Sequence, residues 1–145
     1  MISSCGGIFR DDKARHLGSF CAYLHVGSVV SAELLAAIMA IEKARDNGWN
    51  KLWLEIDCLF VVKAFSKVDM VPWHLKTRWS SCCAFTLQID FVVSHTYREA
   101  NFCADILANM GYNTKNFTWF DSLHQDLSKD FLLDKQGIPR FRLCT

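Results

Sequence analysis

Lys51-Leu52-Trp53-Leu54-Glu55-Ile56-Asp57 is the stretch on which the fold turns. It reads as a short apolar strand that ends on an aspartate. Cys58 to Lys67, immediately after it, has helical composition, with Val62 and Phe65 three apart. Ligands of α/β sheets gather at the carboxyl ends of strands, so an aspartate at this point is well placed to hold a metal. The same residue type is also a good helix N-cap. Both roles are open to Asp57 on this ground.

The chain around that strand alternates in the same way. Residues 6–26 read as a hairpin: Gly7-Ile8-Phe9-Arg10, a polar turn at Asp11-Asp12-Lys13-Ala14-Arg15, then a return strand with Phe20, Ala22, Leu24 and Val26 on one period-two face. Residues 31–47 read as a helix ended by Asn47-Gly48. Pro72 opens a second helical stretch to about Leu87, and Gln88 to Tyr97 is rich in β formers. Asn101 to Met110 reads as a short helix stopped by Gly111, with a tail over 112–145 that mixes aromatic and charged residues. Strands alternating with helices give an α/β layered fold, and the opening hairpin makes its sheet mixed.

Composition narrows the class of protein. The 145 residues fit one domain on the prior of roughly 100–200 residues per domain. With 51% hydrophobic and 21% charged residues, the chain is neither disordered nor a solvated tail. No apolar run approaches the ~20 residues of a membrane helix, and no membrane partner is expected. No basic start followed by an apolar stretch marks a signal peptide, so the expected location is intracellular, nuclear or cytoplasmic. Seven cysteines without metal-ligand spacing read as reduced, mostly buried thiols, and helix packing accounts for the pair Cys82-Cys83. A net charge of +1 gives no global basic excess, so any nucleic-acid role rests on local chemistry.

Two further carboxylates stand in unusual settings. Glu33 lies among apolar neighbours on the first helix and aligns with Ala37, Ala40 and Ala44, a small-residue stripe suited to close packing on a sheet. A partly buried carboxylate there needs a cation, a donor or a metal; the alternative is a first-turn glutamate favoured by the helix dipole. Asp105 has Asn101 and Asn109 four residues to either side, and an aspartate inside a helix calls for compensation unless it is simply exposed. Three acids from three elements suit a hard divalent cation with oxygen ligands. Trp73-His74-Leu75-Lys76-Thr77-Arg78-Trp79 interleaves basic and aromatic residues. It is readable as a nucleic-acid grip, or, with more weight, as an amphipathic helix burying Trp and Leu. Arg10 is a phosphate contact or a solvated surface residue with equal weight.

Four blocks carry a family resemblance: Gly6-Gly7-Ile8-Phe9-Arg10-Asp11; Ala32-Glu33-Leu34-Leu35-Ala36 with Ala40; Leu54-Glu55-Ile56-Asp57; and Ser94-His95-Thr96-Tyr97-Arg98-Glu99-Ala100-Asn101 running into Ala104-Asp105-Ile106-Leu107-Ala108. In order and spacing they resemble the ribonuclease H-like superfamily, and more narrowly the reverse-transcriptase-associated ribonuclease H domains of plant retroelements. The resemblance implies a ribonuclease H-like domain over 1–111 and a C-terminal extension over 112–145. It implies a five-stranded mixed sheet, its first three strands antiparallel, with helices on both faces. It also implies a monomeric domain and an endonuclease that cuts the RNA strand of RNA–DNA hybrids with two Mg2+ (or Mn2+) ions. Carried over by position, Glu33, Asp57 and Asp105 are metal-holding catalytic carboxylates, and His95 is the histidine beside the site. Arg98, Asn101 and Arg10 are nucleic-acid contacts, and Arg98 is an alternative to His95.

One departure bears on activity. The family's fourth carboxylate is an aspartate on the first, central strand, and no aspartate precedes Gly6 here. The expectation is that the central strand is missing, that two strand edges lose their backbone partner, and that two-metal hydrolysis is impaired. Three readings compete: a ribonuclease H-type enzyme, a nucleic-acid-binding remnant without catalysis, and an unstable fragment with no biochemical role.

Overall fold

The computed structural model describes residues 3–25, 27–96, 102–114, 116–128 and Phe131. In chain order the elements are β1 (Ser3–Arg10), β2 (His16–Leu24), α1 (Val29–Asp46), β3 (Lys51–Ile56), α2 (Leu59–Ala64), α3 (Lys76–Thr86), β4 (Asp90–His95), α4 (Phe102–Thr114) and β5 (Thr118–Phe120). The order is the one expected from the sequence, with β5 added from the tail. Packing divides the chain into two units, one within Val26–Thr96 and the other joining Ile2–His25 to Tyr97–Thr145. The described strands form two sheets: β1-β2-β5, wholly antiparallel, and β3-β4, parallel. Among the described residues β1 is paired only with β2, and β3 only with β4.

In the first unit α1 starts two residues earlier than its hydrophobic period suggests, because Ser28 caps it. The Ser28 hydroxyl oxygen accepts from the Ser31 backbone N–H at 3.1 Å. The helix ends as its sequence predicts. Asn47 donates its side-chain amide to the Lys43 carbonyl at 2.8 Å, and Gly48 takes φ +68°, the left-handed step glycine permits at lowest cost. Leu34, Ile38, Ile41 and the small residues Ala37, Ala40 and Ala44 are all buried. The stripe does not serve a sheet alone: α1 packs on α3 and α2 as well as on β3. Small side chains allow that approach, and the Cys82 thiol of α3 donates to the Ile38 carbonyl at 3.8 Å.

Trp79 of α3 anchors this core. It is fully buried, with the Phe65 ring 4.6 Å away, and Phe65 in turn lies 5.4 Å from Phe91 of β4. Burial, with Glu42 nearby, pushes the Cys82 thiol up to about 12, so Cys82 acts as a packing residue and not as a thiolate. At the rim Arg78 donates to Glu42 at 2.9 Å. That exposed pair contributes on the order of 0.2–1 kcal/mol.

The second unit is built on the β1-β2 hairpin, whose turn is organised by one side chain. Asp11 Oδ1 accepts from the backbone N–H groups of Lys13 and Arg15 at 2.9 and 2.8 Å, and Oδ2 accepts from Arg15 Nε at 2.7 Å. These bonds, first that from the Arg15 backbone, hold the Asp11 carboxyl below the usual range. On one face of the sheet the hairpin carries an aromatic layer, in which Gly7 leaves room for the Phe20 ring and Gly18 for the Trp119 ring. On the other, α4 lies directly on the backbone. A Cβ on Gly6 would collide with Leu107 Cβ, and one on Gly111 would sit 2.7 Å from the Ala22 carbonyl oxygen. Cys21, Cys103, Leu107, Leu127 and Phe131 form the core this contact closes.

One expectation is corrected here. Gly111 does not stop the last helix; α4 runs through it to Thr114 because the missing Cβ serves close packing on β2. In the extension after residue 111, Thr118–Phe120 adds an antiparallel strand to β2, and Leu127 and Phe131 enter the core.

His16 meets that core from the hairpin. Its Nε2 lies 3.1 Å from Ser19 Oγ, and its ring stands edge-on to Phe131 at 6.2 Å. The Arg10 guanidinium covers the same phenyl ring at 4.6 Å. Burial, and then the Arg10 charge, lower the His16 pKa below its ordinary value of 6.5. The unfolded chain therefore binds this proton more readily than the folded one. The stability His16 contributes is complete above its ordinary value and is lost as pH falls through the lower folded value. Thermal unfolding followed from about pH 7.5 to about pH 5 should show a declining Tm, and His16→Gln should flatten the decline; parallel declines in the two proteins would count against the assignment. Gly111→Ala should also destabilise. The helix-propensity gain of about 1 kcal/mol is set against about 1–3 kcal/mol for forcing a methyl group onto the Ala22 backbone. Urea unfolding of that variant gives the sign directly.

Candidate active site

Asp57 follows the last residue of β3 and is half-buried. The capping role left open for it is not taken: Cys58 occupies the N-cap of α2, and no side chain caps that helix. The parallel register pairs Ile56 with His95, and the Thr96 N–H donates to the Ile56 carbonyl at 2.9 Å. Asp57 and His95 thus stand at the same, carboxyl-terminal end of the β3-β4 sheet, with His95 exposed. Strand pairing, not sequence proximity, brings these two positions together.

Glu33 is half-buried on α1 between the buried Ala32 and Leu34. The first turn of α1 holds no acidic residue, so the dipole explanation for Glu33 does not apply. Asp105 differs. It lies in the first turn of α4, where a carboxylate is favoured by the helix dipole without any metal. It is half-buried, and the neighbouring Cys103 and Leu107 are core residues. Glu33 and Asp57 belong to the first unit and Asp105 to the second.

The donor set is chemically suited to a hard divalent cation, since all three residues offer carboxylate oxygens. Its assembly is a separate matter. Among the described residues, no three His, Cys, Asp or Glu side chains form a group that would hold a metal ion.

The expected nucleic-acid contacts fare unevenly. Arg98 and Asn101 lie outside the described residues. Arg10 is half-buried with its guanidinium on the Phe131 ring, so it has a structural task whatever else it does. In the stretch 73–79, Leu75 and Trp79 are buried, Lys76 is exposed, and Arg78 pairs with Glu42. The amphipathic reading holds for those four. Trp73 is the exception, 84% exposed on a 3-10 turn with His74 edge-on to it at 5.9 Å. Trp73 follows Pro72 on the short turn before α3, whereas Trp79 lies inside α3, four residues after the buried Leu75. No helix among the described residues is long and apolar enough to cross a membrane.

Comparison with known proteins places this geometry in a family. Residues 1–111 match the family described as reverse transcriptase-like. A protein of Arabidopsis thaliana named "Putative ribonuclease H protein At1g65750" is 30% identical over 144 residues. The match takes in 97% of this chain and 23% of that protein, so the chain spans about a quarter of its relative's length. Among solved structures, the ribonuclease H1 of the halophilic archaeon Halobacterium salinarum superposes with a TM-score of 0.65 at 21% identity, over 77% of this chain and 86% of that one. LC11-RNase H1, isolated from compost by a metagenomic approach and solved in complex with an RNA/DNA hybrid, gives 0.63 at 22% identity, over 78% and 96%. At these identities the structures establish the fold, and the sequence match establishes the membership: the chain belongs to the reverse transcriptase-like family and has the ribonuclease H fold.

Proposed function

We propose that this chain is a ribonuclease H-type domain that engages RNA–DNA hybrids. Glu33, Asp57 and Asp105 are its metal-holding carboxylates, and these 145 residues cleave slowly by themselves. The observation that carries the reading is the family match over 1–111, which contains all three acids. Further support comes from the half-burial of each acid and from the loss of the capping explanation for Asp57. A hybrid bound to LC11-RNase H1 makes this substrate class a natural one to test.

In this reading magnesium or manganese, when bound, supplies an activated water and charge stabilisation at the leaving oxygen. The chain's own residues do the positioning. Asp57 is fixed by the end of β3, and His95 is held beside that end by the β3-β4 register, where its exposed imidazole is placed to assist product departure. Arg10, Arg98 and Asn101 are the proposed backbone contacts, which read shape and 2′-hydroxyls and not base sequence. Slow turnover follows from the carboxylate count. Three acids hold an ion less firmly than four and leave the attacking water loosely placed, and misplacement on that scale costs about a hundredfold.

A second reading, a hybrid-binding domain without catalysis, keeps the family match and gives up the metal-holding role of the three acids. Magnesium-dependent cleavage of a labelled hybrid separates the two. The purified chain is expected to cleave at least about a hundredfold more slowly than an intact ribonuclease H1, and Asp57→Asn is expected to remove what remains. Turnover close to that of the intact enzyme would remove the claim of impairment. Hybrid binding with no cleavage at any metal concentration favours the second reading, and absence of both defeats the proposal.

A further inference from the structure

The β3-β4 sheet has two faces of different character. Toward the helices of its unit point Leu52, Leu54, Ile56, Phe91 and Val93, each buried or half-buried. The other face carries Lys51, Trp53 and Glu55 on β3, and their register partners Asp90, Val92 and Ser94 on β4. Its centre is apolar and open: Trp53 is 68% exposed and Val92 51%. A parallel sheet ordinarily has both faces covered.

The indole of Trp53 is already fixed. Its N–H donates to Ser94 Oγ at 2.7 Å, so the ring lies toward β4 with its donor satisfied. Covering it leaves no unpaired polar group, which removes the main cost of burying a tryptophan. The rim has two carboxylates, Glu55 and Asp90, against one ammonium, Lys51, which disfavours a phosphate backbone on this face. The rim is, however, complementary to itself. Lys51 and Glu55 stand two residues to either side of Trp53 on the same face, at about 7 Å each way along the strand. A two-fold axis between the Trp53 side chains of two copies, perpendicular to the strands, sets Lys51 of one copy against Glu55 of the other, and the same contact recurs on the opposite side. Neither Lys51 nor Glu55 has an ion-pair partner among the described residues.

We propose that this outer face is a self-association surface, on which Trp53 and Val92 of two copies pack across a two-fold axis flanked by two Lys51–Glu55 pairs. This departs from the expectation of a monomeric domain and does not depend on nuclease activity.

The test is sedimentation equilibrium of the intact chain over about 5 µM to about 500 µM, with far-UV circular dichroism as the folding control. The expected result is a concentration-dependent dimer that Trp53→Ala weakens at least about tenfold, as a central aromatic anchor should. Lys51→Glu or Glu55→Lys alone should also weaken it, and the double exchange K51E/E55K should restore it. These charge variants alter exposed side chains and decide the matter even where Trp53→Ala fails to fold. A monomer at every concentration overturns the proposal, as does a dimer indifferent to Trp53→Ala or a double exchange without rescue. Loss of hybrid binding in Trp53→Ala, with no dimer, assigns the face to nucleic acid and equally overturns it.

Discussion

Backbone pairing is the constraint from which the rest follows. A strand whose N–H and C=O groups lie away from water must find a partner for them, and the described strands find theirs in two separate groups. The hairpin β1-β2 is local and antiparallel, so it closes at little entropic cost and needs only its Asp11-centred turn. The parallel pair β3-β4 is different. Its strands are joined through α2 and α3, and only the helical layer holding Trp79, Phe65 and the buried face of α1 makes the pairing worthwhile. Each unit thus solves its own backbone problem, one by a turn and one by helix packing.

The candidate site inherits its geometry from those pairings. Because β3 and β4 run parallel, their carboxyl ends coincide, and Asp57 and His95 come to the same end of one sheet despite 38 residues of separation. An antiparallel register would have sent them to opposite ends. Glu33 depends on the Ser28 cap, which sets where α1 begins and so places the glutamate past the first turn. Asp105 depends on the start of α4, and there the helix dipole alone suffices to explain a carboxylate. The three acids are therefore not equal in what they say: Asp57 does not cap α2 and Glu33 lies past the first turn of α1, while Asp105 stands where the helix dipole favours a carboxylate.

Much of the fold was legible in the residues. The hairpin, the first helix with its Asn47-Gly48 stop, the strand 51–57 and the later strand near 90 follow from period and turn chemistry, which act over a few residues. The errors share a cause. Gly111 carries the same letter as a helix stop, yet it serves as a contact point because Ala22, 89 residues earlier, lies against it. Thr118–Phe120 is too short to announce itself as a strand and exists because β2 offers an edge. Trp73 and Trp79 belong to one basic and aromatic stretch, yet Trp79 is buried inside α3 against Phe65 while Trp73 stays exposed on the turn before it.

The sequence by itself determined the family and the order of elements, and it is what singles out Glu33, Asp57 and Asp105 as candidates, since these rest on spacing and on local propensity. The tertiary structure alone decided that Asp57 is not a helix cap, that it shares a sheet end with His95, and that Arg10 is occupied with Phe131. It also decided that the sheet ending at Asp57 leaves Trp53 and Val92 exposed on one face. Those features depend on which strand pairs with which and in what register, and register is set by contacts between residues far apart in the chain.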